Sequence, residues 1–353
     1  MFEVNFDEIN YLLHEYGIAE NANNYSELLR YHYEKNNPNS KEVRLINKAM
    51  FSDCLPVVIK FLNEKRFSRE LIEEQSEFSE HLRCRGINVA QRYMSKGHFA
   101  NTYQACGIQV TVTVEDFMPG EMKYLTPEIT YKIGEMLASE HNISEADNCH
   151  VNNETIFNPM STNALFAYDD FIKLRPQLNK EEADIFLQIV DHYTKRIKAL
   201  QPLKKRNKYA VQGDLSDCNL FIDESGNTGM FDFNNCGDNY LLGDAIMQGI
   251  FVARLQNYTQ PLTDEYSITL FKKFLLGYNS IRAFTDEDIF LIPHLYAIID
   301  TFWNTQINYG GGCLKNLLKA GRKKEIDALL HKMLKQISKS IPIKMYLNVM
   351  CKM

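Results

Sequence analysis

Residues 211–233 read VQGDLSDCNLFIDESGNTGMFDF, and this stretch decides how the rest of the chain is interpreted. Asp214 and Asn219 lie five positions apart in a loop, and two short strands joined by a turn are predicted between Asn219 and Phe233. Asp232 lies near the end of the second strand. Carboxylate and amide oxygens are the hard ligands that Mg²⁺ prefers. Phosphoryl transfer from ATP needs Mg²⁺ held on the phosphates and a carboxylate beside the acceptor hydroxyl.

A D-x-x-x-x-N loop alone is a weak signal, because it also fits an ordinary capped turn. The order of the upstream elements strengthens it. VRLINKAMF (43–51) and LPVVIKFL (55–62) predict two strands of a hairpin, with Lys60 central in the second and suited to contact phosphates. Residues 70–83 predict an acidic amphipathic helix, and residues 107–117 predict another strand. This order is typical of a kinase-like fold.

Beyond a boundary at residues 118–120 the chain is predicted to become helical. Thr126 caps a helix whose first turn contains a proline and an acid. A long amphipathic helix is predicted over 181–200, and the sequence is predicted to be mostly helical from Asp244 onward. Residues 145–178 are polar and irregular, as expected for a loop-rich insertion.

The composition is that of a globular protein. The 353 residues carry 39 Lys+Arg against 45 Asp+Glu, a formal charge of −6, with 45% hydrophobic residues. This mild acidity argues against a dedicated nucleic-acid binder, which would carry a basic excess. Length allows two or three compact domains.

The sequence also bears on location. No apolar run reaches the roughly 18 residues of a membrane helix, and the first residues lack a secretory signal pattern. The eight cysteines form no C-x-x-C pair, so zinc-site spacing is absent. Scattered thiols fit a reducing compartment, and we expect a cytoplasmic protein without membrane contact.

Four motifs carry a resemblance to a known family. Residues 212–219 (QGDLSDCN) are similar to its H-G-D-x-x-x-x-N loop, and 231–233 (FDF) to its I-D-F/W segment. Residues 133–141 (IGEMLASEH) and 243–246 (GDAI) are similar to two of its helical motifs. The chain thus resembles the aminoglycoside phosphotransferase and choline kinase group of small-molecule kinases over most of residues 40–305.

The resemblance implies an α+β, bilobal, protein-kinase-like fold. A small strand-rich N-lobe would span 1–117 and a large, mainly helical C-lobe 118–353, with ATP between them. The implied function is transfer of the γ-phosphate of ATP to a hydroxyl of a small polar metabolite. ATP and Mg²⁺ are the implied cofactors, and a hydroxyl-bearing small molecule is the implied partner; the oligomeric state stays open.

The resemblance also implies roles for the residues of the Asp-Asn-Asp set. Asp214 would be the catalytic base that orients the acceptor hydroxyl, and Asn219 and Asp232 would bind Mg²⁺. Lys60 would contact phosphate and pair with an acid of the helix that follows. Glu74 is the first choice for that acid.

Glu73 and Glu77 are alternatives to Glu74, within one helical turn of it. The implied hinge, whose backbone would read adenine, consists of Glu115, Asp116 and Phe117. Asp244 would brace the catalytic loop.

Two stretches, FDFNNCGDNYLLGDA (231–245) and FLLGYNSIRAFTDEDIFLIPHL (274–295), are similar to bacterial type II homoserine kinases. Homoserine-, choline- and aminoglycoside-like acceptors all remain open, including an antibiotic-modifying kinase. A protein kinase is disfavoured, because H-R-D, D-F-G and A-P-E are missing.

Two departures motivate a further alternative. Gln212 replaces the loop histidine, and the turn before Lys60, at 51–54, has no glycine. The alternative is a catalytically weak nucleotide-binding or interaction protein on the same fold.

Overall fold

The computed structural model describes residues 1–347 except 119, 121, 123 and 256–262. The chain divides into two compact units that alternate along the sequence. The first unit comprises Met1–Met122, Cys149–Asn153 and Asp217–Gly237, and the second comprises Lys123–Asn148, Glu154–Ser216 and Asp238–Met353. Asn219 and Asp232 therefore belong with the N-terminal residues, whereas Asp214 belongs to the second unit.

The first unit is built on an antiparallel sheet of six strands in the order β1-β2-β3-β6-β4, with β5 also paired to β6. The strands are β1 (Asn24–Tyr31), β2 (Val43–Met50), β3 (Val57–Asn63), β4 (Arg92–Tyr93), β5 (Asn101–Ala105) and β6 (Ile108–Asp116). The helices are α1 (Phe6–Glu15), α2 (Tyr33–Asn36) and α3 (Arg69–Cys84), and a small hairpin consists of β8 (Leu220–Ile222) and β9 (Thr228–Met230). One face of the large sheet packs against α1 in a continuous apolar core.

Several sequence predictions are confirmed in this unit. β2 and β3 form the antiparallel hairpin, with Val43 opposite Asn63, and alternate residues of β2 enter the core. Helix α3 begins after Ser68, whose side chain accepts a hydrogen bond from the Leu71 N–H. Neither α1 nor β1 was predicted, although Asn5 and Glu8 form a capping box at the start of α1.

The second unit is mainly helical. Its helices are α4 (Pro127–Ala146), α5 (Tyr168–Lys173), α6 (Lys180–Ala199), α7 (Leu241–Ala253), α8 (Asp264–Ile281), α9 (Asp286–Phe302), α10 (Asn304–Ile307), α11 (Leu314–Lys319), α12 (Lys323–Ser338) and α13 (Ile343–Leu347). Strands β7 (Tyr209–Val211) and β10 (Gly237–Asn239) pair with one another. The predicted helix beginning after Thr126 is confirmed as α4, and residues 147–167 contain no helix or strand other than isolated bridges.

Helices α4 and α8 approach closely because glycines lie at their contact. A Cβ at Gly134 would lie 2.2 Å from the Phe274 carbonyl oxygen, and one at Gly277 would lie 2.0 Å from the Tyr131 carbonyl oxygen. Any larger side chain would have to displace backbone. This contact fixes α4, which carries Glu140 and His141. Within the described ranges, no helix combines the length and hydropathy that crossing a membrane requires.

Candidate functional site

Lys60 lies in the middle of β3 as a buried cation with two acidic partners. Its Nζ is 2.6 Å from Glu115 Oε1 and 3.5 Å from Asp232 Oδ1. Glu115 is opposite Val58 in the pairing of β3 with β6. Directly opposite residues point to the same face of a sheet, and so do residues two apart. Lys60 and Glu115 are thus diagonal neighbours on one face.

The expected pairing of Lys60 with Glu74 is therefore corrected to Glu115. Glu74 Oε2 accepts a hydrogen bond from the Asn152 N–H at 2.7 Å. Glu73 accepts hydrogen bonds from two backbone amides of the segment at 99–100. Both carboxylates thus fix loops of the first unit. The acid that holds Lys60 comes from the sheet rather than from the helix.

Arg92 on β4 is a buried member of this cluster that sequence reasoning missed. Its Nη2 lies 3.0 Å from Glu115 Oε2, and its Nη1 donates to Ser76 Oγ of α3 at 3.0 Å. Glu115 therefore lies between two cations, Lys60 and Arg92. A buried carboxylate needs such partners, because an unpaired charge there is costly. A two-residue strand gives no periodic signal that could have identified Arg92.

The end of β6 was expected to read adenine through the backbone of residues 115–117. The Asp116 N–H donates to the Gln91 carbonyl and the Phe117 N–H to the Pro56 carbonyl, at 2.9 and 2.8 Å. These two donors are used within the protein. Lys48 Nζ lies 3.5 Å from the centroid of the Phe117 ring, a cation–π contact on the same end of the sheet.

The β8–β9 hairpin brings Asn219 and Asp232 together. The Phe231 N–H donates to the Asn219 carbonyl at 3.0 Å, which extends the pairing of Leu220 with Met230 by one step. Asn219 is buried. Asp232 follows Phe231 directly, in the left-handed region at φ 55°, an uncommon conformation for a residue other than glycine.

Asp232 is an ionised acid whose carboxylate is held in place. It caps the short 3₁₀ turn Phe233–Asn235 by accepting from the Asn234 N–H at 3.4 Å. Burial alone would raise the pKa of Asp232, but the Lys60 ammonium, the Asn234 N–H and two arginine charges lower it below its ordinary value. Gln75 of α3 fixes the following segment by donating to the carbonyls of Asn234 and Cys236, at 3.1 and 3.0 Å.

The donor set of Asn219 and Asp232 fits Mg²⁺ bound to nucleotide phosphates. Mg²⁺ usually takes one or two carboxylates from the protein and completes its shell with phosphates and water. No cluster of three His, Cys, Asp or Glu side chains suited to a metal occurs in the part of the chain that is described.

The turn at 51–54 precedes β3 in the position where a loop covering the phosphates would be sought, but it has no glycine. Ala49 is opposite Val57, and Val57 is opposite Asp116, so this turn lies at the end of the sheet where β6 ends. The Ser52 and Asp53 amides lie 3.0 and 3.4 Å from Glu20 Oε1. The connection between β1 and β2, residues 32–42, lies at the opposite end of the sheet.

In the second unit, Asp214 is part of a loop whose backbone is held by side chains. Gly213, at φ 80°, makes the turn that precedes it. The Asp214 N–H donates to Gln212 Oε1 at 2.7 Å, and the Gln212 N–H donates to Glu140 Oε1 at 2.6 Å. The Gln248 amide contacts the backbone on both sides of Asp214. Gln212 thus supports the loop where the resembling family has histidine.

Four buried ionisable groups, Glu140, His141, Asp244 and Tyr278, lie next to this loop or next to one another. Burial and the Asp244 charge raise the pKa of Glu140 to about 8, although the Gln212 N–H opposes this. Burial lowers the pKa of His141, whose Nε2 lies 3.1 Å from Asp244 Oδ2 and whose Nδ1 lies 2.8 Å from the Tyr278 hydroxyl. A neutral His141 therefore donates to Asp244 and accepts from Tyr278.

The comparisons with known proteins rest on structure. No protein-family model and no curated protein matches this sequence. A microcompartment-associated aminopropanol kinase is similar with a TM-score of 0.58 and 13% identity, covering 92% of this chain and 94% of that one. An amicoumacin kinase in complex with AMP-PNP and Ca²⁺ is similar with a TM-score of 0.54 and 16% identity, covering 83% and 85%. An aminoglycoside phosphotransferase from Alicyclobacillus acidocaldarius has a TM-score of 0.54 and 10% identity, covering 88% and 93%.

These similarities concern the fold. They confirm the prediction of an α+β, protein-kinase-like fold with a sheet-rich N-terminal part and a helical C-terminal part.

Proposed function

We propose that this chain is an ATP-dependent phosphotransferase that moves the γ-phosphate to a hydroxyl of a small polar metabolite. The observation that carries the proposal is the buried Lys60, held by Glu115 and directed toward the low-pKa carboxylate of Asp232. A cation that binds phosphate, near an ionised acid that holds Mg²⁺, is the arrangement that phosphoryl transfer from ATP requires. The similar structures include proteins named as kinases of aminopropanol and amicoumacin, which supports the same reaction class.

Each residue has a role in this proposal. Lys60 binds phosphate, and Asn219 and Asp232 hold Mg²⁺. Bound Mg·ATP would supply the phosphoryl group and compensate the charge of its phosphates. Asp214 orients the acceptor hydroxyl and takes its proton. Glu115 positions Lys60.

Backbone groups at the end of β6 form the hydrogen bonds to adenine in this proposal. Because the Asp116 and Phe117 amides already donate within the protein, the carbonyls of residues 115–117 are the backbone partners proposed for adenine. The connection between β1 and β2, residues 32–42, lies at the end of the sheet opposite the end of β6, so in this proposal it is nearer the phosphates than the turn at 51–54.

The ion pairs of two arginines bear on which acceptor molecule the protein phosphorylates. A carboxylate-bearing acceptor such as homoserine would call for an uncompensated arginine, but Arg254 pairs with Asp300, and Arg282 lies 2.7 Å from Glu145. Since these two arginines already have acidic partners, we place amino alcohols without a carboxylate first among the homoserine-, choline- and aminoglycoside-like acceptors. An aminopropanol kinase among the similar structures points the same way.

The test is ATP consumption with Mg²⁺ against aminopropanol, ethanolamine, choline, homoserine, methylthioribose, simple sugars and aminoglycosides. Acceptor-dependent turnover should fall about 10²–10⁴-fold in Asp214→Ala, with Mg·ATP binding retained. Asp191→Ala, an exposed aspartate of α6 paired with Lys195, is the matched control and should keep full turnover.

The alternative is a nucleotide-binding protein with weak or no catalysis, motivated by Gln212. Mg·ATP binding without turnover on the full panel would favour it. Absence of Mg·ATP binding would overturn the nucleotide site itself. Against the alternative stands the Gln212 side chain, which accepts the Asp214 N–H and so maintains the loop.

A further inference from the structure

The loop that carries Asp214 is fixed from α7 by one buried amide. Gln248 is fully buried. Its Oε1 accepts from the Leu215 N–H at 2.9 Å, and its Nε2 donates to the Gly213 carbonyl at 2.8 Å. The amide thus bridges the residue before Asp214 and the residue after it. Because a single planar group makes both bonds, neither neighbour of Asp214 can rotate without breaking one of them.

The orientation of this amide is set by charge. Gln248 Nε2 lies 3.2 Å from Asp244 Oδ1, one helical turn earlier on α7. An amide flipped by 180° would direct its oxygen at the Asp244 carboxylate and its NH₂ group at the Leu215 N–H. Both contacts would be repulsive, so only one orientation satisfies all three partners.

Asp244 is itself oriented from two further helices. Its Oδ2 faces His141 Nε2 of α4, and His141 Nδ1 faces the Tyr278 hydroxyl of α8. The hydrogen bonds therefore form one continuous chain, and its direction is consistent: Tyr278 donates to His141, and His141 and Gln248 both donate to Asp244. Such chains are stronger than isolated bonds in a buried setting.

We propose that Gln248 is the positioning residue of the catalytic base, the group through which Asp244 fixes the backbone on both sides of Asp214. This rests on the proposed function for its catalytic consequence only. Asp244 was expected to brace the loop, and the structure assigns the contact to Gln248. Gln248 does not touch substrate or nucleotide in this proposal; it acts by holding Asp214 in the geometry for proton transfer.

The test combines amide exchange with kinetics on the full chain. Gln248→Met keeps the volume of the side chain and removes both bonds. Hydrogen–deuterium exchange of the peptide containing Gly213 and Leu215 should accelerate at least about 10-fold in the variant. Turnover should fall about 10–10²-fold, while the KM and Kd for Mg·ATP stay within about twofold, because Lys60 and Asp232 are untouched.

Gln306→Met is the matched control. Gln306 is also a buried glutamine of the second unit, and its Nε2 donates to two backbone carbonyls, those of Asp300 and Thr301. The Gln306→Met substitution should lower the stability of the protein about as much as Gln248→Met does, and it should leave amide exchange near Asp214 unchanged. Equal exchange and turnover changes in both variants would overturn the proposal, since they would reflect general destabilisation.

The wild type provides a second measurement that does not depend on a variant. The Leu215 amide should show slow hydrogen–deuterium exchange although it lies in a loop. Fast exchange would overturn the proposal that Gln248 holds the backbone beside Asp214. If the wild type binds Mg·ATP but phosphorylates no acceptor, the proposed function fails, and the exchange data still decide whether Gln248 fixes the loop.

Discussion

Replacing Glu140 by glutamine should abolish a specific pH dependence of stability. Glu140 is fully buried in α4, and its pKa is raised from 4.5 to about 8. In the unfolded chain the carboxyl ionises near its ordinary pKa, whereas the folded protein keeps the proton. The folded state thus binds more protons between pH 4.5 and 8, so the free energy of unfolding falls as pH rises through this window.

The magnitude follows from the shift. Each pH unit within the window lowers the free energy of unfolding by about 1.4 kcal/mol. Above pH 8 the total loss is about 5 kcal/mol, as an order of magnitude. Glutamine is neutral at every pH and retains an oxygen to accept the Gln212 N–H. Among the described residues, Glu140 Oε2 has no hydrogen-bond partner, so the new NH₂ group adds a cost, but that cost does not vary with pH. The stability difference between variant and wild type should therefore rise by about 3 kcal/mol from pH 5.5 to 7.5.

The assay is denaturant unfolding at pH 5.5, 6.5, 7.5 and 8.5, followed by tryptophan fluorescence. Trp303 is the single tryptophan of the chain, and it lies in the second unit with Glu140, so the signal reports the relevant part. The lowered pKa of His141 affects stability with the opposite sign, at pH values below its ordinary pKa of 6.5. It is present in both proteins and cancels in the difference.

Glu128→Gln on the same helix is the control. Glu128 is exposed, and its pKa is lowered by its own backbone N–H and the Thr126 side chain, so it is ionised in both states above pH 5.5. Its stability difference from wild type should not vary with pH over the range. A constant difference for Glu140→Gln as well would refute the reasoning, because it would mean that the folded protein holds Glu140 ionised.

Three further predictions concern the first unit and the helix contact. Glu115→Gln should weaken Mg·ATP binding about 10-fold, measured by calorimetry, because Lys60 loses the charge that positions it. Asp232→Asn should raise the Mg²⁺ concentration for half-maximal ATP binding at least about 10-fold, since a neutral amide replaces an ionised ligand. Gly277→Ala should destabilise the protein by about 2 kcal/mol or more in thermal unfolding, because its Cβ would meet the Tyr131 carbonyl oxygen at 2.0 Å.

These predictions have matched controls. Glu74→Gln removes a carboxylate that contacts Asn152 rather than Lys60, and it should leave Mg·ATP affinity within about twofold. Equal losses for Glu74 and Glu115 would contradict the assignment of Glu115. Gly311→Ala, where nothing lies within 4 Å of the added Cβ, should leave the thermal midpoint unchanged. Unaltered Mg²⁺ dependence in Asp232→Asn would remove Asp232 from the metal site.

The patterns of β2 and α4 led to correct predictions, the amphipathic α1 was overlooked, and β1 has no such pattern. β2 alternates buried and partly exposed residues along its length, and α4 has a capping threonine and a first-turn proline. β1 is an edge strand whose residues are all exposed or partly exposed. Since periodicity reflects burial of one face, a strand that buries neither face leaves no pattern to detect.

The predicted pairing of Lys60 with Glu74 was wrong for a different reason. The sequence predicts that a buried lysine needs an acid, and an acidic helix follows it, so Glu74 was the natural choice. Glu115 was predicted only as part of the hinge, through its backbone. Which of two acids reaches Lys60 depends on the register of β3 against β6, and register is set by tertiary packing that a single sequence does not reveal.

The replacement of the loop histidine by Gln212 illustrates how support for a catalytic loop can be redistributed. Three described side chains bind the backbone of residues 212–215. Glu140 accepts from the Gln212 N–H, and Gln212 accepts from the Asp214 N–H. Gln248 accepts from the Leu215 N–H and donates to the Gly213 carbonyl. A buried N–H that lacked an acceptor would cost about 1–3 kcal/mol. Glu140 can serve as a permanent acceptor without adding a second charge beside Asp244, because its raised pKa keeps it neutral. The absent histidine is therefore weak evidence for lost catalysis, since the hydrogen bonds that keep the Asp214 backbone in place are made by other side chains.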